Sequence, residues 1–276
     1  MKLAVVFIRM NVKIREENLS MECFIMSGNQ TNITKDKLWI SLLGVICAIC
    51  LVLVFLITAI EAVVYWTPGY FEAEYTKYQV LDHLPPMTME DLLIVTDEMM
   101  AYLRGNRADL HVFTTLGGQH MEFFNAREIA HMEDVRDLFI GGLWIRRFGL
   151  AVTAAYAALL VFWSKKNPVR IYFLKTVVPG SLCLGTGLFF AAALVIAVIV
   201  ASDFSKYFIV FHHIFFDNDL WILNPATDLL INIVPEPFFM DTALRIAITF
   251  GIMVIVFLGI SFYLCHRGKR IQTSNK

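Results

Sequence analysis

The side chains best suited to chemistry are three histidines set among carboxylates. His131 lies between Arg127 and Asp134, and the pair His212-His213 is followed by Asp217-Asn218-Asp219. A neutral imidazole takes or gives a proton near pH 7, which no other unperturbed side chain does as readily. On a helix starting at Asn125, His131 falls at the border of an apolar face. Asp134, three residues on, is a neighbour that could fix its tautomer. The alternative is a surface histidine paired with Asp134. His212 and His213 point about 100° apart if helical, so both cannot face one cleft undistorted. One is functional and the other structural, or both are structural.

The elements that must position these groups are four long apolar stretches, Leu38–Trp66, Phe148–Trp163, Thr176–Ala201 and Leu244–Leu264. A bilayer core of about 30 Å needs roughly 20 apolar residues as a helix. Phe148–Trp163 is short. The apolar run Leu138–Ile145 precedes it across Arg146 and Arg147, whose side chains can snorkel to head-group depth. The chain is 58% hydrophobic and only 17% charged over 276 residues, and the excess comes in blocks. The net charge of −1 gives no sign of a nucleic-acid partner. Six of the seven histidines fall in the two polar segments on one side of the membrane, and only His266 falls beyond them.

Lysine and arginine set the expected orientation. Lys35 and Lys37 precede the first span, Lys165, Lys166, Arg170 and Lys175 lie between the second and third, and Arg267, Lys269 and Arg270 follow the fourth. The positive-inside rule puts all three groups in the cytoplasm, against the counter-signal of Arg146-Arg147. The expected map is a polar N-terminal extension 1–37, spans at 38–66, 141–164, 176–201 and 241–264, outer segments 67–140 and 202–240, a cytoplasmic loop 165–175 and a tail 265–276. No signal peptide is expected at the N-terminus.

In the first outer segment, Thr88 caps a helix with Glu90 and Asp91 in its first turn. Gly105-Asn106 stops it, and a loop through Gly117-Gly118 follows. Asn125 with Glu128 resembles a capping box for the next helix. The second outer segment is dense in aromatic residues, which suits a re-entrant or interfacial element packed on the spans. Within the spans, Glu61 and Arg245 sit near ends, which argues against a pump or channel. Cys47-x-x-Cys50 lies inside the first span and reads as small apolar residues. No G-x-x-x-G occurs, so no oligomeric face is indicated.

No metalloprotease, serine-nucleophile or phosphate-loop motif is present. His120, His131, Asp134, His212 and Asp217 could build a metal site, though no fixed ligand spacing supports one. Acid–base work without a covalent intermediate or a cofactor is the simplest account of the histidines.

Two stretches carry a resemblance. Phe124-Asn-Ala-Arg-Glu-Ile-Ala-His131-Met-Glu-Asp-Val, and Phe211-His-His-Ile-Phe-Phe-Asp-Asn-Asp-Leu-Trp221 continuing through Asn224-Pro225 to Pro235-Glu236-Pro-Phe-Phe239, resemble a family of small bacterial membrane proteins, the lipoprotein intramolecular transacylases. The similarity runs from about Leu38 to Leu264.

The resemblance implies an all-α polytopic membrane protein of the bacterial cell membrane, with four transmembrane helices and a small extracytoplasmic helical cap. It implies transfer of an O-acyl chain from the diacylglyceryl group of a lipoprotein to the α-amine of its N-terminal cysteine. Two essential histidines are implied, mapping onto His131 and the His212-His213 pair, with His212 favoured by register. Asp134 is the expected orienting partner, and Asn125, Asn218 and Trp221 are the expected substrate or oxyanion contacts. Membrane lipids and diacylglyceryl lipoproteins are the expected partners. A metal-dependent membrane hydrolase and a lipid-binding or sensor protein are the alternatives.

Overall fold

The computed structural model describes residues 34–165 and 168–274. Most of the expected N-terminal extension therefore lies outside the described residues. Four helices are long and apolar enough to cross a membrane. These are α1 (Thr34–Val64), α4 (Ala126–Ser164), α5 (Pro168–Ser202) and α8 (Glu236–Ser274). Between α1 and α4 lie α2 (Tyr70–Lys77), a 3-10 turn (Val80–His83), α3 (Met89–Leu103), and strands β1 (Phe113–Leu116) and β2 (Gln119–Glu122). Between α5 and α8 lie α6 (Phe204–Phe215) and the one-turn α7 (Leu230–Ile233).

The spans meet through small residues. A Cβ added at Gly185 of α5 would stand 2.7 Å from the Ala48 Cβ of α1, and one at Gly149 of α4 would stand 2.8 Å from Val54 Cγ2. Those glycines let the backbones approach closely, as membrane helices do where no hydrophobic force drives them together. Aromatic edges fill the wider gaps: Phe55 meets Phe257 at 5.5 Å and Phe190 meets Phe250 at 6.2 Å between centroids. Tyr156 donates to the Ile40 carbonyl at 3.1 Å, tying α4 to the start of α1. Apolar residues pointing away from these contacts are exposed, Val198 at 70% and Phe148 at 69% among them, as lipid-facing surface requires.

The polar segments build a cap with its own core. Tyr75, Leu92, Val95, Leu110, Phe123, Phe124 and Ile233 are buried in one cluster. Tyr75 and Thr96 share a buried hydroxyl hydrogen bond of 2.7 Å. Thr88 caps α3 by accepting from the Asp91 N–H, as the sequence implies. Cap and bundle are joined by charge. Glu61 of α1, buried, pairs with Arg104 at the end of α3 and with Arg146 of α4. Glu74 of α2 pairs with Arg245 of α8, and Lys77 and Tyr78 both bond to Asp241. Arg146 is thus neutralised by Glu61 rather than reaching alone for head groups, whereas Arg147 lies over the exposed Trp144 ring.

The sequence reading needs several corrections. The helix starting after Asn125 does not stop before the second span. It runs unbroken through Gly141-Gly142 to Ser164, because no proline interrupts it and Gly142 packs on Ile57. At about 58 Å it is nearly twice the bilayer core, so only part of it can lie within the hydrocarbon. The expected loop at Gly117-Gly118 is the turn of an antiparallel hairpin pairing Phe113 with Glu122 and Leu116 with Gln119. Both glycines have positive φ, which a two-residue hairpin turn demands. The cap is therefore helical with one hairpin. Helix α5 begins at Pro168, ahead of Thr176, and α8 at Glu236, ahead of position 241.

The glycine contacts generate a test. Gly185→Val forces α1 off α5 and is expected to cost about 1–3 kcal/mol by overpacking. Gly187→Val, where an added Cβ would meet nothing within 4 Å, is expected to leave stability nearly unchanged. Thermal unfolding of both variants in detergent checks the contrast, and equal behaviour would refute the close contact.

Candidate active site

The site is assembled at the first turns of α4. Asn125 stands before the helix in extended conformation, and its Oδ1 accepts from the N–H groups of Arg127 (2.9 Å) and Glu128 (3.1 Å). Glu128 reaches back to the Asn125 N–H at 2.7 Å, completing the capping box. The other Glu128 oxygen accepts from the Leu230 N–H of α7 at 2.5 Å. Burial raises the Glu128 carboxyl above its usual range, against the lowering by those N–H groups. Asn125 Nδ2 donates to Asp228 at 2.9 Å, and Asp228 also accepts from the Asn224 N–H at 2.7 Å. Asn218 Nδ2 donates to Asp134 at 2.9 Å, and Arg127 donates to the Asp219 carbonyl. Residues 217–230 are thereby fastened along α4.

That fastening brings distant histidines together. His131 lies one turn beyond Glu128 and is 7% exposed; His212, 81 positions away on α6, is 8% exposed. Their ring centroids are 6.2 Å apart. Phe216 packs edge-on against His131 at 5.3 Å, and Trp221 covers His212 at 4.7 Å. His212 Nδ1 is 2.7 Å from the Phe208 carbonyl, which can only accept. The Nδ1 therefore carries the proton, and Nε2 carries the free lone pair when the ring is neutral. Among the described residues, His131 Nδ1 and Trp221 Nε1 are buried without a hydrogen-bond partner. Leaving such atoms unpaired costs about 1–3 kcal/mol each, so each calls for a water, ion or ligand partner.

Burial lowers the His131 pKa to about 4, helped by the neighbouring His212 and opposed by Asp134. Burial lowers His212 as well, against the Phe208 hydrogen bond. Burial therefore favours the neutral form of both rings. Beside them a cleft of about 270 Å³ opens between α4 and the end of α6, lined by Asp134, Asp137, Phe215, Phe216, Asp217 and Asn218.

The expected site residues divide. His131, His212 and Trp221 meet. His213 is exposed on another face of α6 and meets the Trp221 ring edge-on at 5.2 Å. Asp134 gives its carboxylate to Asn218 and makes no hydrogen bond to His131 Nδ1, so it acts on His131 through its charge rather than as an orienting partner. Asn125 is spent on the helix cap and Asp228, and Asn218 on Asp134 and the Leu220 N–H. Each amide has one N–H engaged in these bonds and keeps a second. His120 is exposed on the hairpin, stacked on Phe113. Among the described residues no three His, Cys, Asp or Glu side chains come together as a metal site. The role of Asp228 went unread. Its only signal was the Asn224-Pro-Ala-Thr-Asp228 turn composition.

A family model, described as "Lipoprotein intramolecular transacylase Lit", matches residues 45–239. No curated protein matches the chain. Among solved structures, the membrane integral lipoprotein intramolecular transacylase Lit from Bacillus cereus is similar at TM-score 0.66 and 21% identity, over 86% of this chain and 99% of that one. Two variants of the Bacillus cereus protein are similar in the same way. One, with a histidine replaced by alanine, gives TM-score 0.64 and 21% identity over 88% and 99% of the two chains. The other, with a histidine replaced by arginine, gives TM-score 0.65 and 20% identity over 89% and 99%. With the family model spanning more than half of its length, this integral membrane protein belongs to the lipoprotein intramolecular transacylase family and is an enzyme.

Proposed function

We propose that the enzyme moves an ester-linked acyl chain from the diacylglyceryl group of a bacterial lipoprotein to the α-amine of its N-terminal cysteine, with His131 carrying the proton and His212 packed beside it. The carrying observation is the pairing of two buried, neutral imidazoles from remote segments, one of them with an unpartnered ring nitrogen. The lipid-binding or sensor alternative gives way to membership of an enzyme family. The metal-hydrolase alternative has no converging ligand set in its favour among the described residues.

The reaction joins the amine nitrogen to the ester carbonyl carbon and breaks the bond from that carbon to the glyceryl oxygen. An α-amine has a pKa of about 7.7–8.0, so it reacts through its neutral fraction. As nitrogen adds, its proton becomes acidic and passes to His131. The same proton then goes to the departing glyceryl oxygen, leaving a lyso-form N-acyl lipoprotein. General-base help of this kind is worth about 10²–10⁴-fold. Donor and acceptor belong to one molecule, so folding the head into attacking geometry supplies much of the rest, roughly 7–11 kcal/mol at best. Trp221 N–H, buried beside His212 without a partner, is the donor we assign to the tetrahedral oxyanion. The lysine and arginine distribution argues for both termini in the cytoplasm and the histidines at the outer face.

Three outcomes follow from this mechanism. His131→Ala is expected to cost at least about 10²-fold in rate, read from the mass of a lipoprotein N-terminus. Normal N-acyl product would remove His131 from the mechanism. Trp221→Phe keeps the ring and deletes the N–H, and is expected to lower kcat by roughly 10²-fold while KM changes little. A pure KM effect would make the indole a packing group. The third is a pH profile. Amine and imidazole must both be neutral, and His131, held near 4 by burial, stays neutral well below the ordinary histidine value. Log rate should therefore climb with unit slope from about pH 5 up to the amine pKa. Steepening to a slope of two below about 6.5 would mean that His131 titrates normally.

A further inference from the structure

The helix that carries His212 has a second face with no partner among the described residues. At about 100° per residue, Tyr207, Val210, Phe211 and Ile214 form one stripe on α6, centred roughly 150° from His212. Ile214 is 70% exposed, Phe211 45% and Val210 40%. On the other side His212 is buried against Phe208, Phe216 and Trp221, although its flanking residues Ile209 and Phe215 are themselves 47% and 50% exposed. Such a stripe is a liability on a surface bathed in water.

Three observations identify what covers it. The stripe begins one turn after α5 ends at Ser202, where Val195, Ile196, Val198 and Ile199 are exposed as spanning-helix surface. Only Asp203 intervenes, capping α6 by accepting from the Lys206 N–H at 3.2 Å. Lys206 and Tyr207 then form a cation–π pair at 5.6 Å, a cation beside an aromatic ring at the margin of the apolar face. An amphipathic helix continuous with a span, edged by lysine and tyrosine, matches the boundary between acyl chains and head groups.

We propose that α6 lies in the membrane as an interfacial helix, its Tyr207–Val210–Phe211–Ile214 stripe immersed in bilayer lipid while His212 faces the protein. One helix then reads membrane depth on one side and holds an imidazole on the other, so the lipid fixes how far His212 stands from the acyl chains of the same leaflet. This placement stands or falls separately from the histidine chemistry.

The test uses the intact protein in vesicles of phosphatidylglycerol and phosphatidylcholine, doped with a phospholipid bearing a diazirine on its acyl chain. After photolysis, adducts are mapped by mass spectrometry. Adducts on residues 207–214 at yields comparable to those on 195–199 are expected. Adducts on α5 with none on α6 would overturn the proposal. A companion mass measurement in nanodiscs separates the other occupant: a dimer whose α6 stripe is shielded from labelling would place a second copy there and equally overturn it.

Discussion

The hydrogen bonds from the second polar segment to the first turns of α4 are the constraint on which the site depends. Glu128 accepts simultaneously from its own helix cap and from Leu230, 102 positions away, and Asn125 passes the connection to Asp228. Neither histidine is held by the other. His131 has its place because α4 starts where the capping box starts it. His212 has its place because residues 217–230 cannot drift from that same turn. A buried carboxylate with its partners removed costs more than any single bond it makes, so this arrangement holds as a unit or fails as one.

A second tier of charges sets the cap on the bundle. Glu61 with Arg104 and Arg146, and Glu74 with Arg245, join spans to cap where the apolar helices end. These pairs lie between charged groups with little water around one partner, so removal of one side leaves an uncompensated charge. Rigid spans, a cap pinned to them and a segment pinned to the cap leave the two imidazoles about 6.2 Å apart between centroids.

Much of the fold was legible because membranes simplify the problem. Long apolar blocks must be helices, since no other open element satisfies its backbone in lipid. Caps at Thr88 and Asn125 announced their helices through side-chain chemistry acting within three residues. The hairpin was missed because its strands are four residues each, β2 is mostly exposed, and the alternation of β1 buries Thr114 and exposes Phe113, so apolar residues do not trace it. The continuity of α4 was missed because charged residues before Leu138 masked the join. At the site, the resemblance favoured His212 over His213, and His212 is the one buried beside His131 while His213 is exposed. The partners could not be read. Asp134 is near His131 in sequence yet bonds to Asn218, and the Asp228 contact spans 103 positions. Local spacing cannot report a contact that only tertiary packing creates.

The central claim is that the acyl chain moves within one lipoprotein molecule. Its most direct test reconstitutes the purified enzyme with a mixture of synthetic diacylated lipopeptides, one with deuterated chains on a light peptide and one with ordinary chains on a heavy peptide. Fragmentation then reads which chain sits on which N-terminal amine. Each peptide is expected to carry an N-acyl chain of its own isotopic kind, with matched loss from its glyceryl group. Exchanged labels, or released fatty acid without N-acylation, would contradict the account.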